Sequence, residues 1–328
     1  MPPEKSIAML ADRIAEGDLG AVAEALNQID DDRPEHREGA LALLDTLEGR
    51  GLGARIGITG APGSGKSTLL DALVSELRKQ DRSVGILAVD PSSQRTGGAL
   101  LGDRMRLSSA ARDAGVFLRS LAARDRLGGL SEITGPSLDV MVAAFDAVFV
   151  ETVGVGQSEA EVIDVVDTLV FVAQPAAGDL IQFMKAGILE WPDIFFVNKS
   201  DLGDAARRTS TELLAGLELG SRRDAEYRPP VLCGSARDGL EIAALIEAID
   251  SHQQYLKSSG QGKIRRQAGR VARIGNAIST RYGRFGLDRL TGPLAIATFV
   301  GARPNSSVER LVDDLSVEVE KAFGSRGR

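Results

Sequence analysis

The chain has 328 residues, 43% apolar and 26% charged, the proportions of a folded globular protein with room for one large domain and smaller helical additions. A net charge of −7 speaks against a general nucleic-acid binder and leaves one local basic cluster, Lys263, Arg265, Arg266 and Arg270. One cysteine, Cys233, excludes an internal disulfide framework and a multi-thiolate metal site within one chain, and His36 and His252 stand apart without the local partners of a zinc or nickel site.

The opening, MPPEKSIAMLADRIAEGD, has no basic flank leading into an apolar run, and no stretch approaches the roughly 20 apolar residues of a membrane span. Neither a secretory signal nor membrane insertion is expected, and the expected location is the cytoplasm. Residues 4–50 read as helices. Ile7, Leu10, Ile14 and then Val22, Leu26, Ile29 recur at helical spacing, Asp18 is placed to cap the second segment, and Leu41, Leu44, Leu47 continue on a third. From Arg55 short β-rich runs follow: RIGIT, SVGILAV, GVFLR, DAVFVE, DTLVFV, DIFFVN and PVLC. Apolar runs without polar alternation predict strands buried on both faces, hence a mostly parallel sheet covered by helices. A helix over 238–256 closes that domain, SSGQGK at 258–263 reads as a linker, and Ile264, Ala268, Val271, Ala277 and Ile278 mark another amphipathic helix. LAIATFV reads as a short strand, and a last helix covers 308–323. The expected fold class is α/β, a P-loop nucleotide hydrolase with a mostly parallel central sheet. Helical extensions at 1–50 and 258–328 flank a nucleotide domain at 51–257.

The phosphate-binding pattern is the sharpest chemical signal. Directly after the first strand stand Gly60, Ala61, Pro62, Gly63, Ser64, Gly65, Lys66, Ser67 and Thr68, a Walker A match followed by the helical LLDALVSELRKQ. Glycines let successive backbone N–H groups curl around an anion, the helix N-terminus adds positive potential, and Lys66 supplies a full charge. The Ser67 hydroxyl is placed to ligate Mg²⁺ bridging the β- and γ-phosphates.

After DIFFV comes Asn198-Lys199-Ser200-Asp201, an N-K-x-D pattern. Guanine presents two adjacent donors, N1–H and its exocyclic amine, which one carboxylate such as Asp201 can accept together, whereas adenine presents an acceptor there. Asn198 is placed to tie this loop to the phosphate loop, and the Lys199 stem to cover one face of the base. Ser235 and Ala236, after PVLC, fit a further loop whose backbone N–H meets guanine O6. Asp90 and Glu151 end two other predicted strands, where carboxylates face the ligand crevice and can hold Mg²⁺ directly or through water. Lys66, Asp90 and Glu151 are thus the candidate catalytic residues. Gly154 permits close approach of the backbone to a γ-phosphate, which makes Glu151–Gly154 a candidate switch. The Gly-rich segment Arg95–Arg104 reads as a mobile loop, with Asp103 a further candidate for the Mg²⁺ shell. The residue that positions the attacking water is left unassigned, since Gln157 lies three residues beyond Gly154.

The stretches GAPGSGKST, AVDPSSQRTGGALLGDRMR, ETVGVGQSE and VNKSD resemble, almost phrase by phrase, the GTPases of the MeaB/ArgK/MMAA type, whose second switch begins with Glu rather than Asp. LRSLAARDRLGGLSEIT and AAGDLIQFMKAG are similar to further segments of that family, and the match runs from about residue 40 to 256. The resemblance implies a G-protein chaperone for an adenosylcobalamin-dependent acyl-CoA mutase, chiefly methylmalonyl-CoA mutase, that gates cofactor loading and protects the mutase. It implies slow intrinsic hydrolysis of GTP to GDP, stimulated by the partner. Lys66, Ser67, Asp90, Asp103 and Glu151 would then serve phosphate and Mg²⁺; Asn198, Lys199 and Asp201 would serve guanine; Asp179, Gln182 and Lys185 would fall in a third switch that communicates with the mutase. A homodimer through C-terminal helices is implied as well, and the cobalamin adenosyltransferase is a second partner the resemblance admits.

Three other readings stay in view. A nickel-insertion GTPase needs metal-collecting His or Cys residues, which are nearly lacking. A small-molecule kinase, the label carried by the arginine-transport branch, needs a base and an acceptor pocket that no motif supplies. A nucleotide-gated scaffold would bind without turnover. The base-reading assignment generates the first prediction: Asp201→Asn shifts preference from GTP towards XTP, whose O2 accepts from the new amide, and an unchanged GTP:XTP ratio in competition binding would remove Asp201 from base recognition.

Overall fold

The computed structural model describes residues 4–31, 33–90, 113–122, 130, 132–152, 161–175, 188–219, 223–290 and 293–324. All seven apolar runs form strands: β1 (Ala54–Thr59), β2 (Val84–Asp90), β3 (Val116–Ala122), β4 (Ala147–Glu151), β5 (Thr168–Ala173), β6 (Ile194–Val197) and β7 (Val231–Cys233). They pair in parallel, in one sheet of order β3-β2-β4-β1-β5-β6-β7. The described helices are α1 (Glu4–Ala15), α2 (Leu19–Ile29), α3 (Pro34–Leu47), α4 (Lys66–Lys79), α5 (Thr134–Ala144), α6 (Asp204–Leu219), α7 (Ile242–Ser259), α8 (Gln261–Arg289), α9 (Pro293–Gly301) and α10 (Val308–Gly324).

The chain divides into two compact units, Ala54–Ser131 with Phe145–Gly262, and Met1–Gly53 with Glu132–Ala144 and Lys263–Arg328. The first holds the sheet. Strands β4 and β5 are buried at every position, which leaves no water-facing row for polar residues to occupy. Strand β6 shows how the two faces are served. Ile194 and Phe196 enter the core built with Leu69, Leu73 and Leu77 of α4 and Leu245 and Ile249 of α7. Phe195 and Val197 enter a second core with Ala206, Leu213 and Leu217 of α6. Successive side chains of a strand point to opposite faces, so four apolar residues anchor both layers at once. Because every strand runs the same way, Thr59, Asp90, Glu151, Ala173, Val197 and Cys233 all end on one edge of the sheet.

The second unit is helical. Ile7, Leu10 and Ile14 of α1 are buried, and Asp18 Oδ1 caps α2 by accepting from the N–H groups of Gly20 (2.8 Å) and Ala21 (3.2 Å). Charge pairs join α3 to α10: Arg37 Nη2 meets Asp313 at 2.7 Å, while Arg310 reaches Glu38 at 2.8 Å and Asp45 at 2.9 Å.

Three expectations are corrected by the fold. LAIATFV is not a strand but the body of α9. An apolar run of that length fits either state, and here Ile296 and Val300, one helical turn apart, pack with Ile274, Ile278, Leu311 and Leu315. The expected linker 258–263 is mostly helix, since Ser258 and Ser259 finish α7 and Gly260 alone turns the chain at φ 75° before α8 begins. The basic cluster is divided: Lys263 and Arg266 are exposed, but Arg265 is buried, and Arg270 is engaged by Glu48 and the Ser306 carbonyl. Among the described residues, no helix is long and apolar enough to cross a membrane.

Phe149 lies fully buried at mid-sheet, in register with Ile56 of β1 and Ile86 of β2. Phe149→Ala is expected to cost about 3–5 kcal/mol of stability through the cavity it leaves. The midpoint of chemical denaturation measures it, and a change below about 1 kcal/mol would contradict this placement.

Candidate functional site

The site is built at the sheet edge where β1 hands over to α4. Strand β1 ends at Thr59, and the chain then turns through Gly60 (φ 141°), Gly63 (φ 79°) and Gly65 (φ 93°) before Lys66 opens the helix. Two of these glycines are required by their surroundings as well as by φ. A Cβ on Gly60 would collide with the Val172 carbonyl of β5, and one on Gly65 would overlap the Asn198 amide nitrogen. The loop therefore lies pressed against the ends of β5 and β6. Pro62 and Gly63 are exposed, Ala61 is buried and Thr68 faces outward on the first turn of α4. Ser64 is fully buried, and its hydroxyl has no hydrogen-bond partner among the described residues.

Lys66, itself buried, donates from Nζ to the carbonyls of Gly60 (2.8 Å) and Ala61 (3.2 Å). Ser67 donates from Oγ to Glu151 Oε1 at 2.7 Å. Glu151 is placed by register: it ends β4 beside Ile58 of β1 and Ala88 of β2, and is 9% exposed. Next to it, Thr152 donates its N–H to the Ile58 carbonyl (3.1 Å) and its hydroxyl to Thr59 Oγ1 (3.1 Å). A helix N-terminus, an ammonium, a hydroxyl and a carboxylate thus meet at one edge of the sheet, a set of groups suited to a polyphosphate with a hard divalent cation.

The loop after β6 carries Asn198, Lys199 and Asp201. Lys199 adopts the left-handed conformation (φ 59°, ψ 45°), an uncommon state for a side-chain-bearing residue, and its Nζ donates to the Gly63 carbonyl at 2.8 Å. Asn198 is 3% exposed. Its Nδ2 donates to the Ser64 carbonyl at 2.8 Å, while its Oδ1 accepts the Ala236 N–H at 2.9 Å. Ser200 N–H reaches the Gly234 carbonyl at 2.9 Å. Phosphate loop, N-K-x-D loop and the buried Ser235–Ala236 loop are therefore joined, and of the backbone N–H groups in the loop expected to meet guanine O6, that of Ala236 is engaged by Asn198. Asp201 sits exposed on the short 3₁₀ turn Ser200–Leu202.

Of the remaining candidates, Asp90 ends β2 at the same sheet edge. Asp103, Gly154, Gln157, Asp179, Gln182, Lys185 and the segment Arg95–Arg104 lie outside the described residues. Two residues of the site were not singled out by any motif, Thr59, which accepts the Thr152 hydroxyl, and Arg237. Arg237 leaves a faint signal, a cation directly after Ser235-Ala236, but nothing in the chain's order says which carboxylate it meets.

The family described as Methylmalonyl Co-A mutase-associated GTPase MeaB matches residues 22–281. The chain belongs to the MeaB family. It is a GTPase that binds guanine nucleotide. A chain from Pyrococcus abyssi named as a GTPase is 42% identical over 261 residues, covering 79% of each chain. The mitochondrial methylmalonic aciduria type A homolog of Mus musculus is 35% identical over 269 residues, 77% of this chain and 65% of the mouse protein. A crystal structure of a protein named LAO/AO transport system kinase superposes with a TM-score of 0.68, covering 98% of this chain and 99% of that one, at 24% identity, which speaks to the fold alone.

The amide bridge of this MeaB-family GTPase can be broken without touching a charged group. Gly65→Ala places a Cβ against Asn198 Nδ2 at a positive φ that costs an L-residue about 1–2 kcal/mol. Relieving that strain moves the loop off its path past Asn198, and GDP affinity is expected to fall by about tenfold or more, while the sheet stays folded by circular dichroism. Undiminished affinity would show that the bridge is dispensable.

Proposed function

We propose that this GTPase serves as a G-protein chaperone of an adenosylcobalamin-dependent acyl-CoA mutase, methylmalonyl-CoA mutase or a close relative, gating cofactor loading and protecting the mutase. The observation that carries it is the family match over residues 22–281, a family described by its association with that mutase. The name of the mouse relative points to the same metabolism. The kinase alternative draws only on the name of a protein whose similarity concerns fold.

At the site, Lys66 would exchange its two carbonyl partners for phosphate oxygens, a charge-assisted bond of greater strength. Ser67 and Glu151, already 2.7 Å apart, would hold Mg²⁺ together with Asp90 and Asp103. Bound there, Mg²⁺ would supply charge neutralisation at the β- and γ-phosphates. Gly154 and the segment after Glu151 would respond to the γ-phosphate. Asp201 would accept both guanine donors, with Lys199 along the base. Asp179, Gln182 and Lys185 would carry the response to the mutase. The reading includes a homodimer through the C-terminal helices, for which the exposure of Ile264 on α8 is support, the adenosyltransferase as a second partner, and a cytoplasmic location.

The test is GTP hydrolysis by the full chain, alone and with an adenosylcobalamin-dependent mutase, with Lys66→Ala as the inactive control. Slow turnover that rises several-fold with the mutase, and co-precipitation of the mutase in the presence of a non-hydrolysable GTP analogue, are expected. Hydrolysis indifferent to every such mutase, with no co-precipitation, would overturn the chaperone reading.

A further inference from the structure

The carboxylate of Asp201 is steadied from the neighbouring loop. Its Oδ2 lies 3.2 Å from Nη2 of Arg237, two residues beyond Ser235. Arg237 is anchored in turn: Nε donates to Asp238 Oδ1 at 3.2 Å and Nη2 to Asp238 Oδ2 at 3.4 Å. Asp238 closes a small ring with Ser235, accepting its hydroxyl at 2.7 Å and donating its own N–H to that hydroxyl at 3.3 Å. The Ser235 hydroxyl and the Arg237 guanidinium hold the Asp238 carboxyl below the usual carboxylate range, so it remains an anchor at neutral pH. A chain of four side chains therefore runs from the Ser235–Ala236 loop to the carboxylate on the β6 loop.

We propose that Arg237 is a positioning residue for base selection, fixing the Asp201 carboxylate as a two-oxygen acceptor and so setting how far the pocket prefers a 2-amino-6-oxopurine over its 2-deamino counterpart. This rests on the reading of Asp201 as the base acceptor. The physical reason is torsional. The χ2 angle of an aspartate is broad and two-fold, so an untethered carboxylate offers both oxygens in the plane of a base edge only part of the time. A guanidinium bond on Oδ2 narrows that motion without consuming the acceptor, because an ionised carboxylate has about four lone-pair sites. Guanine, with two donors, needs both oxygens. Hypoxanthine lacks the 2-amine, needs one, and tolerates a swinging carboxylate. Loss of Arg237 is therefore felt by guanine and not by hypoxanthine. The effect is bounded by exposure: Arg237 is 72% and Asp201 34% exposed, and pairs of that kind sustain about a fivefold change in an equilibrium at most.

The experiment is competition binding of GDP, IDP and XDP to the full chain and to Arg237→Ala, Arg237→Gln, Arg237→Lys and Asp201→Asn. Both neutral variants are expected to weaken GDP by about three- to fivefold and to leave IDP within about twofold, with Arg237→Lys recovering part of the gap. The gap is expected to shrink in 1 M salt, where the Debye length is about 3 Å. Equal weakening of GDP and IDP would mark a merely structural role and overturn the proposal, as would no change in either. Asp201→Asn distinguishes the role of Asp201 from that of Arg237. If it gains XDP while the Arg237 variants keep the wild-type GDP:IDP ratio, only the role of Arg237 falls. If it retains GDP over XDP, the reading of Asp201 falls and the proposal with it.

Discussion

One planar amide joins three loops at one edge of the sheet. Asn198 gives its N–H to the Ser64 carbonyl of the phosphate loop and takes the N–H of Ala236 from the loop after β7, at 2.8 and 2.9 Å, with 3% of its surface exposed. Serving both contacts takes a donor and an acceptor held apart on one rigid group: an ionised aspartate has no donor, and serine carries both functions on a single oxygen with a shorter stem. In a buried setting each bond left unmade would cost about 1–3 kcal/mol, which makes the three-loop arrangement cooperative. The condition for it is the absence of a side chain at Gly65, since the amide nitrogen lies where a Cβ would stand.

The sheet supplies the rigidity on which this amide depends. Parallel pairing places the ends of β1, β4, β5 and β6 on one edge, and apolar residues facing both ways along β6 fix that strand to the helices on both sides. Loops that leave such an edge can adopt strained geometry, as at Lys199 in the left-handed region, because the strands below them over-determine where they begin and end. Polar residues then face one another across short gaps: Ser67 with Glu151, Thr152 with Thr59, Lys66 with two carbonyls. These are contacts between groups that a phosphate and a hard cation would also satisfy, which links the fold's edge to the chemistry of a GTPase.

The helical unit relies on a different balance of forces. Its core is the cluster around Ile274, Ile278, Leu311 and Leu315, and its surface seams are charged. Arg273, packed against Gly135, is shared by Glu309 at 2.9 Å and Asp139 at 3.4 Å. A buried guanidinium is tolerated because two carboxylates surround it, and removing either would leave charge uncompensated in a poorly solvated place. Segments far apart in the chain, residues 132–144 and both termini, are thereby committed to one unit.

Features that live within a few consecutive residues were legible in the amino-acid order. The Walker A run, the N-K-x-D turn, the Asp18 cap and the seven strands each declare themselves through local geometry or apolar run length, and the contiguous motifs placed the chain among the MeaB-type GTPases. What depends on partners distant in the chain was not. LAIATFV became a helix because Ile296 and Val300 found a helical core to face, and Arg270 became paired because the Glu48 carboxylate and the Ser306 carbonyl, from other segments, met it. The tie between Arg237 and Asp201 spans 36 positions, and Asn198 reaches 134 positions back to Ser64. Periodicity and spacing constrain the backbone over one or two turns; the choice of partner across such intervals is made by strand order and packing, and so belonged to the tertiary structure alone.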